Sequence, residues 1–129
     1  MKPQVVYTPH APAPIGPYSQ AIFAGDCCYL SGQIALDPAT GQLVDDSVEA
    51  EAQQVMRNLG AVLTAAGLDF SHVVKTSIFL LSMDDFATVN AVYGAYFPGT
   101  PPARETVAVA GLPRGVRVEI SMIAYLHRD

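Results

Sequence analysis

The sequence predicts an α+β domain in which a mixed sheet carries two helices on one face. Two segments show three- and four-residue apolar spacing, and six short runs have strand character; in chain order they read βββ-α-β-α-ββ. A length of 129 residues leaves room for one domain, spanning 1–129. The chain is 50% hydrophobic, 15% charged and has a mean hydropathy of +0.27, which supports a packed core and excludes a disordered chain.

Gln4 to Tyr7 is a short β-rich run. Pro9, Pro12, Pro14 and Pro17 follow, making a stiff extended stretch that cannot join a central ladder and must cross a surface or rim a site. Ser19 to Phe23 and Cys27 to Ser31 read as a hairpin turning at Gly25-Asp26. Asp37 to Gly41 is a loop.

The first helix is marked by Ala52, Val55, Met56, Leu59, Val62, Leu63 and Ala66 on one stripe. Asp46 and Glu49 have capping-box spacing before it, and Gly67 stands where a left-handed cap ends it. Val73 to Leu81 is a β-branched strand. A second helix starts at Ser82, with Asp85 three residues on; it carries Phe86, Val89, Tyr93 and Phe97 and stops at Pro98. Arg104 to Val109 and Val116 to Tyr125 are the last strands.

Strands on either side of each helix predict βαβ crossovers. Along the last strand Val116, Val118, Ile120, Met122 and Ala124 face the helices, while Arg117, Glu119, Ser121, Ile123 and Tyr125 face away. That outer set is half apolar, which suits packing against another subunit better than water.

Seven basic against twelve acidic residues give a net charge of −5 and a pI near 4.9. Nucleic-acid binding draws on clustered Lys and Arg, so no nucleic-acid partner is expected. No apolar run is long enough to span a bilayer, and the proline-rich start has no signal core; the reading is cytoplasmic, with no membrane partner. Adjacent Cys27 and Cys28 read as reduced, buried residues, and scattered His10, His72 and His127 give no metal spacing.

Several short motifs carry chemistry: Ile15-Gly16-Pro17-Tyr18-Ser19-Gln20, Leu30-Ser31-Gly32-Gln33, Phe86-Ala87-Thr88-Val89-Asn90, Pro101-Pro102-Ala103-Arg104 and Val118-Glu119-Ile120. In this order and spacing, with Asp37-Pro38-Ala39-Thr40-Gly41 between, they resemble the reactive intermediate deaminase (Rid, also called YjgF) family nearly end to end. The resemblance implies a chorismate-mutase-like fold and a homotrimer. It also implies inter-subunit clefts where 2-imino acids from PLP-dependent dehydratases are hydrolysed to 2-keto acids and ammonia, with no cofactor and no metal.

Such a substrate sets a carboxylate beside an electrophilic C=N carbon, and a guanidinium can grip that carboxylate bidentately. Arg104 reads equally as an edge-strand arginine in a surface salt bridge until the resemblance assigns it to the ligand. Glu119 is a carboxylate within a strand, where partial burial raises a pKa toward general acid/base use. Read alone, it equally suits a pair with Arg117 or Arg104, or a wet rim. The resemblance also brings the Tyr18 hydroxyl and the Ser31-Gly32 backbone to the cleft as donors, with Asn90 lining it or supporting it from the helix.

Thr106 stands where many family members carry cysteine, so thiol chemistry is not expected there, and alternation sets it on the face of Arg104. Glu105 is bulkier and more acidic than usual for its position. The resemblance therefore implies a 2-iminobutanoate/2-iminopropanoate deaminase acting on small 2-imino acids. The competing readings are an RNA-cleaving translation inhibitor and a non-enzymatic, chaperone-like trimer that holds small carboxylates.

Overall fold

The six strands form one sheet. In chain order the elements are β1 (Gln4–Val6), β2 (Ala21–Ala24), β3 (Cys27–Gln33), α1 (Val48–Ala65), β4 (Val73–Leu80), α2 (Phe86–Gly94), β5 (Ala103–Ala108) and β6 (Val118–Tyr125). The computed structural model describes residues 2–127, so Met1, Arg128 and Asp129 of the predicted 1–129 unit lie outside the described residues.

Strand order is β1-β2-β3-β6-β4-β5, with β4 and β5 parallel and every other pair antiparallel. The sheet is mixed, as predicted. Strands β3 and β4 both run antiparallel to the β6 between them, so they are parallel to each other and α1 makes their crossover; α2 joins the parallel pair β4–β5. No helix among the described residues is long and apolar enough to cross a membrane.

Both helices lie on one face. Val55, Met56, Leu59, Val62 and Leu63 of α1 are buried against Val118, Ile120, Met122 and Ala124 of β6 in a core that also takes Val89 and Tyr93 of α2. Each large apolar side chain there contributes about 1.5–3 kcal/mol by leaving water. The Tyr93 hydroxyl donates to Thr76 Oγ1 at 2.9 Å, tying α2 to β4 at a fully buried site. Among the described residues no helix lies over the opposite face, and Tyr29, Val107 and Tyr125 stand there about half exposed.

The ends of the elements differ from the sequence prediction for local reasons. Ser47, not Asp46, caps α1, its hydroxyl accepting from the Ala50 N–H at 3.0 Å; Glu49 falls in the first turn and forms no box with Asp46. Gly67 does adopt the left-handed conformation, with φ 77°, and Leu68 N–H reaches back to the Leu63 carbonyl at 2.9 Å to close the helix end. Ser82 caps a single 3₁₀ turn, Met83–Asp85, before α2 begins at Phe86. Helix α2 ends at Gly94 rather than running through Phe97, and Asp85 makes no side-chain cap.

Arg117 does not join the outward set of β6. It precedes the strand, and its backbone N–H and Nε donate to the Glu51 carboxylate at 2.6 and 2.8 Å, turning it toward α1. Glu51 is 1% exposed, and this pairing is what makes a buried carboxylate tolerable.

Candidate active site

Two local devices build a cleft around Glu119. The first is a bulge in β3. Between the pairs Leu30↔Met122 and Gln33↔Ile120 three steps on β3 match two on β6, so Ser31 and Gly32 together face one partner residue. Gly32 is thereby laid under the Glu119 carboxylate, where an added Cβ would stand 2.5 Å from Oε2. Only glycine leaves that space.

The second device pins the proline-rich segment. Gln20 is 2% exposed, and its side-chain amide accepts from the Thr8 N–H at 2.7 Å. It also donates to the carbonyls of Thr8, Ala11 and Pro12 at 3.0, 3.3 and 2.9 Å. One buried amide thus satisfies a stretch whose prolines cannot pair in the sheet. The segment beyond it carries Ile15 and Tyr18 over the cleft.

The cleft holds about 260 Å³ and is lined by Pro12, Ile15, Tyr18, Gly32, Ile34, Pro113, Arg114 and Glu119, among others. Glu119 makes neither a hydrogen bond nor an ion pair among the described residues, and partial burial pushes its pKa above the ordinary carboxylate value. Neither Arg104 nor Arg117 pairs with it; their charges go to Asn90 and Glu51. A half-buried carboxylate with no partner beside a small apolar cavity is equipped to take a proton from a bound water.

Ser31 stands beside the cleft with its hydroxyl committed, donating to the Ser19 carbonyl at 2.6 Å. Tyr18 is about half exposed, and its hydroxyl accepts a long 3.4 Å contact from the Ile15 N–H.

Arg104 and Asn90 form a second, separate group. Arg104 Nη1 donates to Asn90 Oδ1 at 2.7 Å, and the guanidinium stands 5.2 Å from the Tyr93 ring centre and 5.8 Å from that of Phe86. The stacking fixes the plane of the fork and supplies no competing carboxylate. Burial raises the Tyr93 pKa, keeping its ring neutral beneath the cation. Thr106 follows two residues on, and its Oγ1 is buried without a hydrogen-bond partner. An open hollow of about 490 Å³ fronts this group, lined also by Phe97, Pro101 and Pro102.

Register separates the two groups. Arg104 pairs with Thr76, and Thr76 with Met122, on the helix side of the sheet; Glu119 pairs with Phe79 on the open side. With a period of two, Arg104 and Thr106 share the helix side, and Glu119 points the other way. One protomer therefore brings Tyr18, Gly32 and Glu119 together with Ser31 adjacent, brings Arg104 and Asn90 together with Thr106 two residues on along the same face but outside their hollow, and does not join the two sets. Glu105 belongs to the open face, where it pairs with Lys75 at 2.6 Å and with Ser77, and it does not border the Arg104 hollow.

The sequence reading assigns no role to Gln20, Glu51 or Arg114. The signal for Arg114 is Pro113 and Gly115 on either side of a cation five residues before Glu119; the reach of Gln20 and Glu51 has no sequence signature.

Comparison with known proteins shows the family and the fold. Residues 8–126 match the family model described as Endoribonuclease L-PSP. Protein DfrA of Myxococcus xanthus is 57% identical over 126 residues, covering 96% of each chain. The 2-iminobutanoate/2-iminopropanoate deaminase of Mus musculus is 54% identical, covering 94% of this chain and 90% of that one. The crystal structure of YyfA from Yersinia pestis, a protein of unknown function in the conserved Rid family, superposes with a TM-score of 0.94 at 45% identity, covering 97% and 100% of the two chains.

Proposed function

Since the chain belongs to the endoribonuclease L-PSP family, also called YjgF or Rid, we propose that it hydrolyses 2-imino acids to 2-keto acids and ammonia. The observation that carries this reading is Glu119, an unpaired, half-buried carboxylate seated over Gly32 in a small apolar cleft. The name of the mouse relative supports the substrate class: imines of small aliphatic 2-amino acids.

The active unit in this reading is a homotrimer with clefts between subunits. Arg104 and Glu119 occupy opposite faces of one sheet, so a site that uses both draws them from two protomers. The uncovered sheet face and the exposed edge strand β5 are the surfaces available for that contact.

In such a cleft Arg104 grips the substrate carboxylate as a bidentate fork, held flat by Tyr93 and Phe86 and aimed by Asn90. Thr106 lies two residues on along the same face, its hydroxyl buried behind the grip. A water over Glu119 gives up its proton to the carboxylate and adds to C2, breaking the C=N π bond, and the nitrogen takes up one proton from solvent. Glu119 then returns its proton to that nitrogen, ammonia leaves, and the C2 hydroxyl gives its proton to solvent as the C=O bond forms. The balance is imine plus water to keto acid plus ammonia. Tyr18 and the backbone at Gly32 are the donors nearest the developing charge, since the Ser31 N–H is already given to the Gln20 carbonyl at 2.9 Å. No step requires a cofactor or metal, and the chemistry asks mainly for positioning.

The test is a coupled reaction in which a threonine dehydratase generates the imine and keto-acid release is followed with and without this protein. Acceleration by the wild type that is lost in Glu119→Gln supports the reading; a rate equal to buffer alone sinks it.

A further inference from the structure

Arg114 is the one non-glycine residue among those described with a positive φ, 56°. It sits in the turn Pro113–Gly115, where Gly115 also has φ 68°. Side chains other than glycine meet a steric penalty in this region, and such strain persists where the surroundings impose it and a function uses it.

The surroundings do impose it. Arg117 is fastened by its backbone N–H and Nε to the buried Glu51, and its Nη2 donates to the Asp45 carbonyl at 2.9 Å. Val116 is buried beside it. With that end fixed and Pro113 rigid at the other, the turn sets Arg114 in the wall of the Glu119 cleft, on the border with a second hollow of about 200 Å³ lined by Asp45, Glu51 and Arg117.

Glycine at 114 would remove the strain, so what the arginine offers in return is its side chain. Its guanidinium has neither a hydrogen bond nor an ion pair among the described residues. Among the described residues it is also the only cation lining this cleft, and Glu119 is the only carboxylate. A carboxylate-bearing substrate entering here meets Glu119 and the field of a chain with net charge −5. Both repel it.

We propose that Arg114 is a specificity-determining residue: its guanidinium captures the substrate's carboxylate at the cleft and makes the site select anionic imines over neutral ones. This rests on the hydrolase reading above and adds to it a cation distinct from Arg104. Arg104 orients the bound acid for reaction, whereas Arg114 governs its entry.

The experiment compares wild type with Arg114→Gly, Arg114→Glu and Arg57→Gln. Arg57 is exposed on α1 away from both groups, so its loss changes net charge alone. The probes are 2-oxobutanoate and its neutral counterpart 2-oxobutanamide, with binding measured by calorimetry. Arg114→Gly is expected to weaken the anion about tenfold and Arg114→Glu further, with the amide changed less than about twofold and Arg57→Gln without effect on either.

In the coupled assay the Arg114→Gly loss falls on KM rather than kcat and shrinks in ~0.5 M salt, because the charge acts through solvent. Its melting temperature should not fall, since glycine relieves the strained φ, which separates lost capture from lost folding. The proposal is overturned if Arg114→Gly binds the anion as tightly as wild type, if it loses anion and amide alike, or if wild type binds neither. An anion-selective loss in a protein that hydrolyses no imine leaves the capture site standing and removes the hydrolase reading. Hydrolysis unaffected by Arg114→Gly does the reverse.

Discussion

At the residue scale, Arg104 and Glu119 are tuned by opposite environments. Arg104 has its charge spread over two rings and a neutral amide, so the fork geometry rather than the charge alone is what it offers a ligand. Arg104→Lys keeps the charge and loses the fork, and it should fail almost as badly as Arg104→Ala. Losing one or two charge-assisted hydrogen bonds, at about 1.5–3 kcal/mol for each, predicts a drop in kcat/KM of roughly tenfold to ten-thousandfold. A fully active lysine variant refutes the bidentate grip, and Thr106→Val should cost less than either change.

Glu119 carries a pKa raised by burial, so the folded protein binds its proton more readily than the unfolded chain. The sign follows: this group lowers stability above its folded pKa, and the penalty fades as pH falls through that value toward the unfolded one. Glu119→Gln should therefore raise Tm by a few degrees at pH 7, with no gain where both forms are neutral, while turnover drops steeply. For the wild type, kcat/KM should fall on the acid side with an inflection above the ordinary glutamate value, since the base must be ionised. A Glu119→Gln variant less stable than wild type at pH 7 contradicts the unpaired carboxylate.

These residues were legible in the sequence as residue types at matching positions. Their partners were not: Arg117 and Arg104 are equally plausible companions for Glu119 by alternation alone. Contact with Glu51 depends on how α1 lies over the start of β6.

At the element scale, the long signals read correctly and the short ones slipped. The apolar stripe of α1 repeats over four turns, and the left-handed Gly67 follows from its end. The cap shifted by one residue because Ser47 and Asp46 are both good caps, and only the entering chain direction chooses between them. Helix α2 is nine residues long, with Phe97 packed by the following loop on Phe70 and Tyr93 rather than by the helix. Spacing alone cannot separate those two ways of reaching the core.

The bulge at Ser31-Gly32 was legible only as a glycine in a strand. Its consequence is testable. Gly32→Ala puts a methyl within 2.5 Å of Glu119 Oε2 and must displace that flexible carboxylate. Activity should fall by about tenfold or more while stability changes by less than about 1 kcal/mol, since a side chain and not the backbone yields. By contrast Glu51→Ala strips a buried carboxylate from Arg117 and its backbone N–H, and should cost about 2–4 kcal/mol in urea unfolding. Equal stability losses in the two variants would mean that Gly32 serves the fold and not the position of Glu119.

At the scale of the whole molecule, the acidic surface and the divided site make different demands. Seven basic residues offer little counterion release, so purified protein should leave RNA intact; cleavage that disappears in Arg104→Ala would reverse the ranking of activities. The divided site is the stronger constraint, because strand alternation forbids one protomer from turning Arg104 and Glu119 toward a common ligand. Sedimentation should accordingly give a trimer at micromolar concentration, but assembly alone does not say who contributes what. Mixing lesions does. Arg104→Ala and Glu119→Gln are each inactive as pure assemblies if both groups are needed. When the two chains are coexpressed in equal amounts, a cleft is intact if the protomer giving Arg104 is the Glu119→Gln chain and the protomer giving Glu119 is the Arg104→Ala chain. Each condition holds for half of random neighbours, so about one quarter of wild-type activity should return in a cyclic assembly. A site built within one chain returns nothing under the same mixing, since every chain carries a lesion. Recovery near one quarter assigns the two groups to neighbouring protomers; activity that stays at the level of the parent variants removes the shared cleft from the mechanism, whatever the sedimentation coefficient.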